Sequence, residues 1–217
     1  VEGSNGGYAL ACAATGGSVP GTDTLTIRRA ADAAPASLDP QRVHVQSTRT
    51  EGTLFVPAAG CTSPSNTACL PAGYLPATSL PHVLLVRTYY VSPSSTQRPG
   101  LPALRRKSLG NVNASSVGGA MTDEELVAGI EDLQVRFGVD TDGDANLDTY
   151  VDPDAIPPGA RLVTATVWLR VRSEQPEHGH TDDTPYRYAD MADAWIPGDG
   201  HRRIVVSRTI QLRNARS

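Results

Sequence analysis

The sequence predicts a fold that is mostly antiparallel β, with little helix. Three observations lead there. Seven or eight short runs alternate apolar and polar residues at the period of a strand and at hairpin-scale spacing. Glycine and proline together make up 37 of the 217 residues (20 + 17), which favours turns over long helices. No strand pattern alternates with a long amphipathic helix, which argues against a parallel βαβ sheet.

Residues 1–21 are rich in Gly, Ala and Ser and read as a linker or the remnant of a helix. Thr22–Arg29 alternates Leu25 and Ile27 with Thr24, Thr26 and Arg28, a strand. Residues 30–41 form a loop broken by Pro35 and Pro40. Val43–Gln46 and Thr53–Val56 read as two further short strands, with His44 as a structural residue in the first. Residues 57–81 are a long insertion with five prolines. Loops of that length inside a compact domain are functional or stapled. Cys61 and Cys69 flank its Ser/Thr/Pro/Asn stretch, and a disulfide there would stabilise by about 2.5 kcal/mol on the chain-entropy account and imply an oxidising compartment. Cys12 is left over, to pair with one of these, to pair outside the sequence, or to remain free.

His82–Val91 is the most continuous β-forming run of the first half and reads as a central strand. Leu101–Leu109 returns from it, with Arg105, Arg106 and Lys107 expected to face solvent on the hairpin. Gly110–Ala120 reads as a flexible link. Thr122 and Glu125 have capping-box spacing, so Thr122–Leu126 is expected to open a short helical turn. Leu133, Val135, Phe137 and Val139 then alternate as a strand. Glu131 and Asp132, being adjacent on it, are expected to point to opposite faces and not to act as a carboxylate pair. Leu162–Arg172 is the clearest strand, with Val163, Ala165, Val167, Leu169 and Val171 on one face and Trp168 on the other, so that second face is expected to be partly covered or to meet a partner. Glu174–Asp183 is a loop, Pro197–Gly200 a turn, and His201–Leu212 the final strand, with Ile204, Val206, Ile210 and Leu212 on one face.

The chemically unusual stretch follows the strand at Val139. Asp140, Asp142, Asp144, Asp148, Asp152 and Asp154 crowd into fifteen residues without a lysine or arginine. Carboxylates this close repel one another unless a positive charge sits among them. Acids at alternate positions can turn their oxygens around one hard cation, and Ca²⁺ accepts such a cage. Set on an EF-hand loop, Asp140, Asp142 and Asp144 fall at positions 1, 3 and 5, Asn146 at 7 and Asp148 at 9. The loop departs from that pattern: glycine is at position 4 (Gly143) instead of 6 (Ala145), and position 12 is Val151, with Asp152 next to it. No helix pattern flanks it. A Ca²⁺ site formed by Asp140, Asp142, Asp144, Asn146, Asp148 and Asp152 is the expectation, and a solvated acidic turn the alternative.

Composition narrows the function classes. With 39% hydrophobic and 19% charged residues the chain can bury a core as a single globular domain over 1–217. Its net charge of −4 gives no basic character for nucleic acid. The late arginines Arg202, Arg203, Arg208, Arg213 and Arg216 read as a solvated strand face. There is no G-x-S-x-G elbow, Walker loop or H-E-x-x-H motif. His178 and His180 beside Asp182 and Asp183 are the residual candidate for Zn²⁺, against a plain solvated loop. No catalytic constellation emerges. No apolar run approaches the ~18 residues that cross a bilayer. Residue 1 is not Met, so the chain reads as a mature or trimmed fragment.

The run Glu124-Glu125-Leu126-Val127-Ala128-Gly129-Ile130-Glu131-Asp132-Leu133-Gln134-Val135, then Phe137-Gly138-Val139 and Asp140-Thr141-Asp142-Gly143-Asp144, resembles the PilW-type minor pilins of the type IV pilus. The likeness extends upstream to Thr24–Arg28, Val86–Val91 and Pro102–Arg106, and downstream to Val167–Ser173 and Ile210–Asn214, in the family's order. The resemblance implies an α+β fold, mostly antiparallel β: a pilin-like or pseudopilin-like headpiece with its N-terminal helix removed. It implies a structural subunit that primes or caps the pilus. The partners would be other minor pilins, the major pilin, and a pilus-tip adhesin. The headpiece would be periplasmic, anchored to the inner membrane through the missing helix, before assembly, and on the pilus at the cell surface afterwards. The sheet face that meets such a helix would be an exposed apolar patch. The competing reading is a secreted, calcium-stabilised adhesion or glycan-binding module using Trp168, Trp195 and the tyrosines; an unrecognised hydrolase is the weakest.

Overall fold

A computed structural model describes residues 1–112 and 121–212. Most of the expected link at 110–120, and Arg213, Asn214 and Arg216, lie outside the described residues. The chain is almost all antiparallel sheet: β1 (Glu2–Ser4), β2 (Thr24–Ala30), β3 (His44–Ser47), β4 (Gly52–Phe55), β5 (His82–Ser92), β6 (Ala103–Leu109), β7 (Met121–Ala128), β8 (Ile130–Asp140), β9 (Thr149–Val151), β10 (Arg161–Arg172) and β11 (Arg203–Gln211).

The α+β pilin-like expectation is overturned. Among the described residues there is no α-helix, only a turn of 3-10 helix at Thr67–Cys69, and no helix is long and apolar enough to cross a membrane. The helical turn expected at Thr122–Leu126 is instead strand β7. The reason lies in its acids. On a helix Asp123 and Glu125 would diverge, whereas on a strand they share a face. That face carries Arg105 of β6: its Nε donates to Asp123 Oδ1 at 2.8 Å, and its NH1 reaches Glu125 Oε2 at 3.4 Å. Glu125 also accepts from Ser95 Oγ and the Thr96 N–H, both at 2.6 Å. Arg105 and Lys107, expected at the surface, are buried, Arg105 against these acids; Arg106, on the opposite face, pairs with Glu124.

The contacts divide the chain into two compact units. One comprises Val1–Thr26, Thr88–Arg106 and the described residues from Asp123 onward. Its main sheet has the order β11-β10-β8-β9. β8 lies inside it and is covered on both faces: Leu133, Val135, Phe137 and Val139 are at most 2% exposed, and Asp132 and Gln134 are buried as well. β10 adds Val163 and Ala165 to this core. The same unit holds β1 on β2 and the Tyr90 side chain, whose hydroxyl donates to Asp123 Oδ2 at 2.7 Å.

Residues 1–21 are fastened to this unit through Asp23. The Asp23 N–H donates to Leu133 O at 2.8 Å, and its two carboxylate oxygens accept the N–H groups of Gly6 and Val135, both at 2.7 Å. A side chain thus extends the β8 backbone ladder where β9 is too short to reach.

The other unit comprises Ile27–Arg87 and the described residues of Lys107–Thr122. β3 pairs with both β4 and β5, and its inward residues His44 and Gln46 are at most 1% exposed. His44 Nδ1 lies 3.0 Å from Arg42 O, its ring packs on Phe55, and burial lowers its pKa, all of which suit a structural histidine. Gln46 Nε2 donates to Ser79 O at 2.8 Å, anchoring the 57–81 insertion. That insertion carries a disulfide between Cys61 and Cys69, with Cα atoms 5.2 Å apart. Cys12 is not disulfide-bonded.

Two predictions follow from these anchors. Arg105→Met takes the guanidinium away from two part-buried carboxylates and should cost about 2–3 kcal/mol in a denaturant melt; a loss under ~1 kcal/mol would remove the cluster from the stabilising contacts. The second concerns Asp23. Burial, aided by Asp190 and Asp132, raises its pKa to about 7 against the opposing pull of its two backbone donors. A carboxyl bound to its proton more tightly in the folded state contributes stability at low pH that is lost as pH rises through about 7. The native protein should lose up to ~1.4 kcal/mol per pH unit between pH 5 and 7 relative to Asp23→Asn. The Asn variant gives up one of the two backbone hydrogen bonds, because its amide nitrogen cannot accept an N–H, and it lacks this slope. Parallel profiles for the two proteins would show that Asp23 does not titrate there.

Candidate functional site

The acidic loop begins where β8 ends. Asp140 is 1% exposed, and its carboxylate accepts the N–H groups of Gly143 at 2.7 Å and Ala145 at 2.9 Å. Burial pushes its pKa up, but these backbone donors outweigh it and hold the group below the ordinary carboxylate range. Asp148 Oδ2 accepts from Thr141 Oγ1 at 2.6 Å and Thr141 N at 2.7 Å, which lowers its pKa too. Both groups are therefore ionised at neutral pH.

The loop closes tightly for an identifiable reason. Gly143 and Ala145 both adopt positive φ, 87° and 64°. Ala145 thus takes the left-handed turn at the position where an EF-hand loop uses glycine, a strain of order 1 kcal/mol or more for a residue with a Cβ. The returning chain packs Leu147 and Tyr150 over Gly138, where an added Cβ would lie 2.1 Å from Thr164 Oγ1 and 2.6 Å from Leu147 Cδ1. Only glycine at 138 admits this fold-back.

Not all the residues expected at a metal come together. Asp140, Asp142 and Asp148 each bring one carboxylate oxygen within 4.8 Å of the others. Asp144 is turned to Asn146, accepting its backbone N–H at 2.7 Å and its side-chain amide at 2.8 Å. Asp152 is drawn off by Arg136, whose Nε lies 3.1 Å from Asp152 Oδ1 in an ion pair without hydrogen-bond alignment. His178 and His180 enter no metal-ligating group among the described residues.

A second charged cluster escaped the sequence reading. The β8–β10 register runs Arg170 to Asp132 and then Val171 to Ile130, so Glu131 is the extra residue of a bulge. A bulge breaks the alternation that would send Glu131 and Asp132 to opposite faces, and both now approach Arg170. Arg170 Nε donates to Glu131 Oε1 at 2.6 Å, and its NH1 lies 3.8 Å from Asp132 Oδ2. Arg203 Nε donates to the same Glu131 oxygen at 2.7 Å, and its NH1 and NH2 form a fork on Asp199 at 2.6 and 2.7 Å. This fork is the main pull that holds Asp199 far below the ordinary carboxylate range. Tyr188 receives Arg170 NH1 at 2.9 Å and donates to Asp132. Burial, reinforced by the Asp132 charge and hydrogen bond, keeps its phenol protonated. The Trp195 ring lies 3.9 Å from the Arg170 guanidinium. An open cavity of about 340 Å³ borders this cluster, lined among others by Gly21, Asp132, Gln134, Asp190 and Trp195. Arg203, expected on a solvated face, is buried and fully matched, as the solvation cost of an interior guanidinium requires.

Trp195 thus spends one contact on Arg170 and is about one-third exposed, and Trp168 is half-buried on β10. Nothing local in the sequence marks the bulge, because alternation alone sends Glu131 and Asp132 to opposite faces and only the register against Arg170 reveals it.

A protein-family model described as type IV pilus-assembly protein W matches residues 88–214, more than half of the chain. The matched segment covers the acidic loop, the bulge and the whole β11-β10-β8-β9 sheet. No curated protein and no solved structure matches.

Proposed function

The chain belongs to the PilW family of type IV pilus-assembly proteins, and from this membership we propose that it is a non-catalytic minor pilin that helps initiate or cap the pilus through protein–protein contacts. The match over residues 88–214 carries the reading. The charged clusters are in keeping with it: Arg105, Arg170 and Arg203 are each matched by carboxylates, an arrangement that stiffens the sheets. Its partners on this reading are other minor pilins, the major pilin and a tip adhesin. Its place is the inner membrane with a periplasmic headpiece before assembly, and the pilus afterwards. Deleting the gene in the organism that encodes it should remove most surface pili, and the subunit should co-purify with sheared filaments. Normal piliation in the deletion strain would sink the proposal.

We further propose that the acidic loop binds a structural Ca²⁺. Asp140, Asp142 and Asp148 would hold it, with Asp144 and the Asn146 carbonyl completing the oxygen set and Asp152 left to Arg136. What supports this is the convergence of three carboxylate oxygens on a turn that Ala145 closes at a conformational cost. The ion would brace the loop against β8. Modules of this kind bind Ca²⁺ at roughly 10⁻⁴–10⁻³ M. Ten-millimolar-scale Ca²⁺ should then raise the melting temperature by about 3–10 °C over chelator. The joint change Asp142→Ala with Asp144→Ala should abolish the rise. Identical melts of the native protein in Ca²⁺ and in chelator would refute the site.

A further inference from the structure

An open sheet edge exposes unpaired backbone groups, and natural proteins blunt it by keeping edge strands short. Three edges here follow the rule: β1 and β9 have three residues and β4 has four. Two do not. β11 has nine residues and pairs only with β10; β7 has eight and pairs only with β6, in each case among the described residues. β11 runs along β10 for its full length without a register shift, so no bulge twists its edge away.

The two long edges differ in charge. β11 (RIVVSRTIQ) has no acid, and β7 (MTDEELVA) has no base. The exposed face of β11 presents Ile204, Val206, Arg208 and Ile210, with the three apolar residues 59%, 44% and 51% exposed. Arg208, in the middle of this stripe, has no hydrogen bond or ion pair with the described residues. The exposed face of β7 presents Thr122, Glu124 and Leu126. Glu124 retains a half-exposed carboxylate beside Arg106. Laid antiparallel, one register sets Ile204 opposite Ala128, Val206 opposite Leu126, Arg208 opposite Glu124 and Ile210 opposite Thr122, with the charged pair at its centre. Directly opposed apolar and oppositely charged pairs are what stabilise strand neighbours.

We propose that β11 of one copy of this chain accepts β7 of a second copy, extending the sheet head to tail. Such a contact uses different surfaces on the two copies, so it propagates instead of closing on itself as a two-fold dimer does. It rests on the assembly role proposed above and gives that role a surface.

Sedimentation velocity on the purified chain tests it. The native protein should show mass increasing with concentration at low salt and less so at high salt. Arg208→Glu and Glu124→Arg should each weaken association about tenfold or more while leaving the thermal melt near native. An equimolar mixture of the two variants should restore association, because each junction between unlike variants then joins opposite charges. A chain monomeric at all concentrations overturns the proposal, as does association that Arg208→Glu leaves unchanged or that the mixture fails to restore. A monomeric protein whose deletion still abolishes pili would retire this contact and leave the assembly role standing.

Discussion

One carboxylate oxygen, Oε1 of Glu131, accepts from two guanidinium groups, those of Arg170 and Arg203. Three strands of the main sheet are thereby tied through side chains as well as through their ladders. Each charge would cost several kcal/mol if buried alone, so the cluster is stable only when complete. Asp199, Asp182, Tyr188 and Asp132 complete it, which recruits the segment between β10 and β11 to the sheet. β11 buries little apolar surface of its own. Its attachment rests on the β10 ladder and on Arg203, which frees its outward side chains from any duty in the core.

The two acidic regions of this chain show how the same side chain serves different ends. In the bulge cluster, carboxylates are matched by arginines and the result is rigid and closed. In the loop after β8, no arginine or lysine is available in the sequence, and the carboxylates hold backbone N–H groups instead. Those bonds shape the turn but do not cancel its charge. The first arrangement stiffens the sheet, and the second leaves the loop carrying a net negative charge.

Much of this was legible in the sequence, and the failures share a cause. The alternation of Leu133, Val135, Phe137 and Val139, and of Val163 through Val171, marked β8 and β10, because buried strand faces leave a local pattern. The acidic loop was visible because its composition is unusual within fifteen residues. Three readings went wrong where a distant partner decides. Thr122 and Glu125 fit a helix cap as well as they fit a strand until Arg105 is known to lie opposite. Arg105 and Lys107 looked solvated because isolated charges avoid interiors, yet the acids of β7 make the burial of Arg105 affordable. Glu131 and Asp132 were assigned to opposite faces by a rule that a bulge suspends. The pilin-like helical component came from resemblance alone, and the described residues contain no α-helix.

The bulge also constrains how this chain can change in length. Inserting or deleting one residue between Gly129 and Leu133 would reverse the facing of every residue on one side of the change, either turning Leu133, Val135 and Phe137 away from the core or removing Glu131 from its arginines. Substitutions there have local costs, but a change in count has no local remedy. Across relatives, this stretch should therefore vary in residue type while keeping a fixed number of positions, whereas the loops on either side of the sheet are free to grow or shrink.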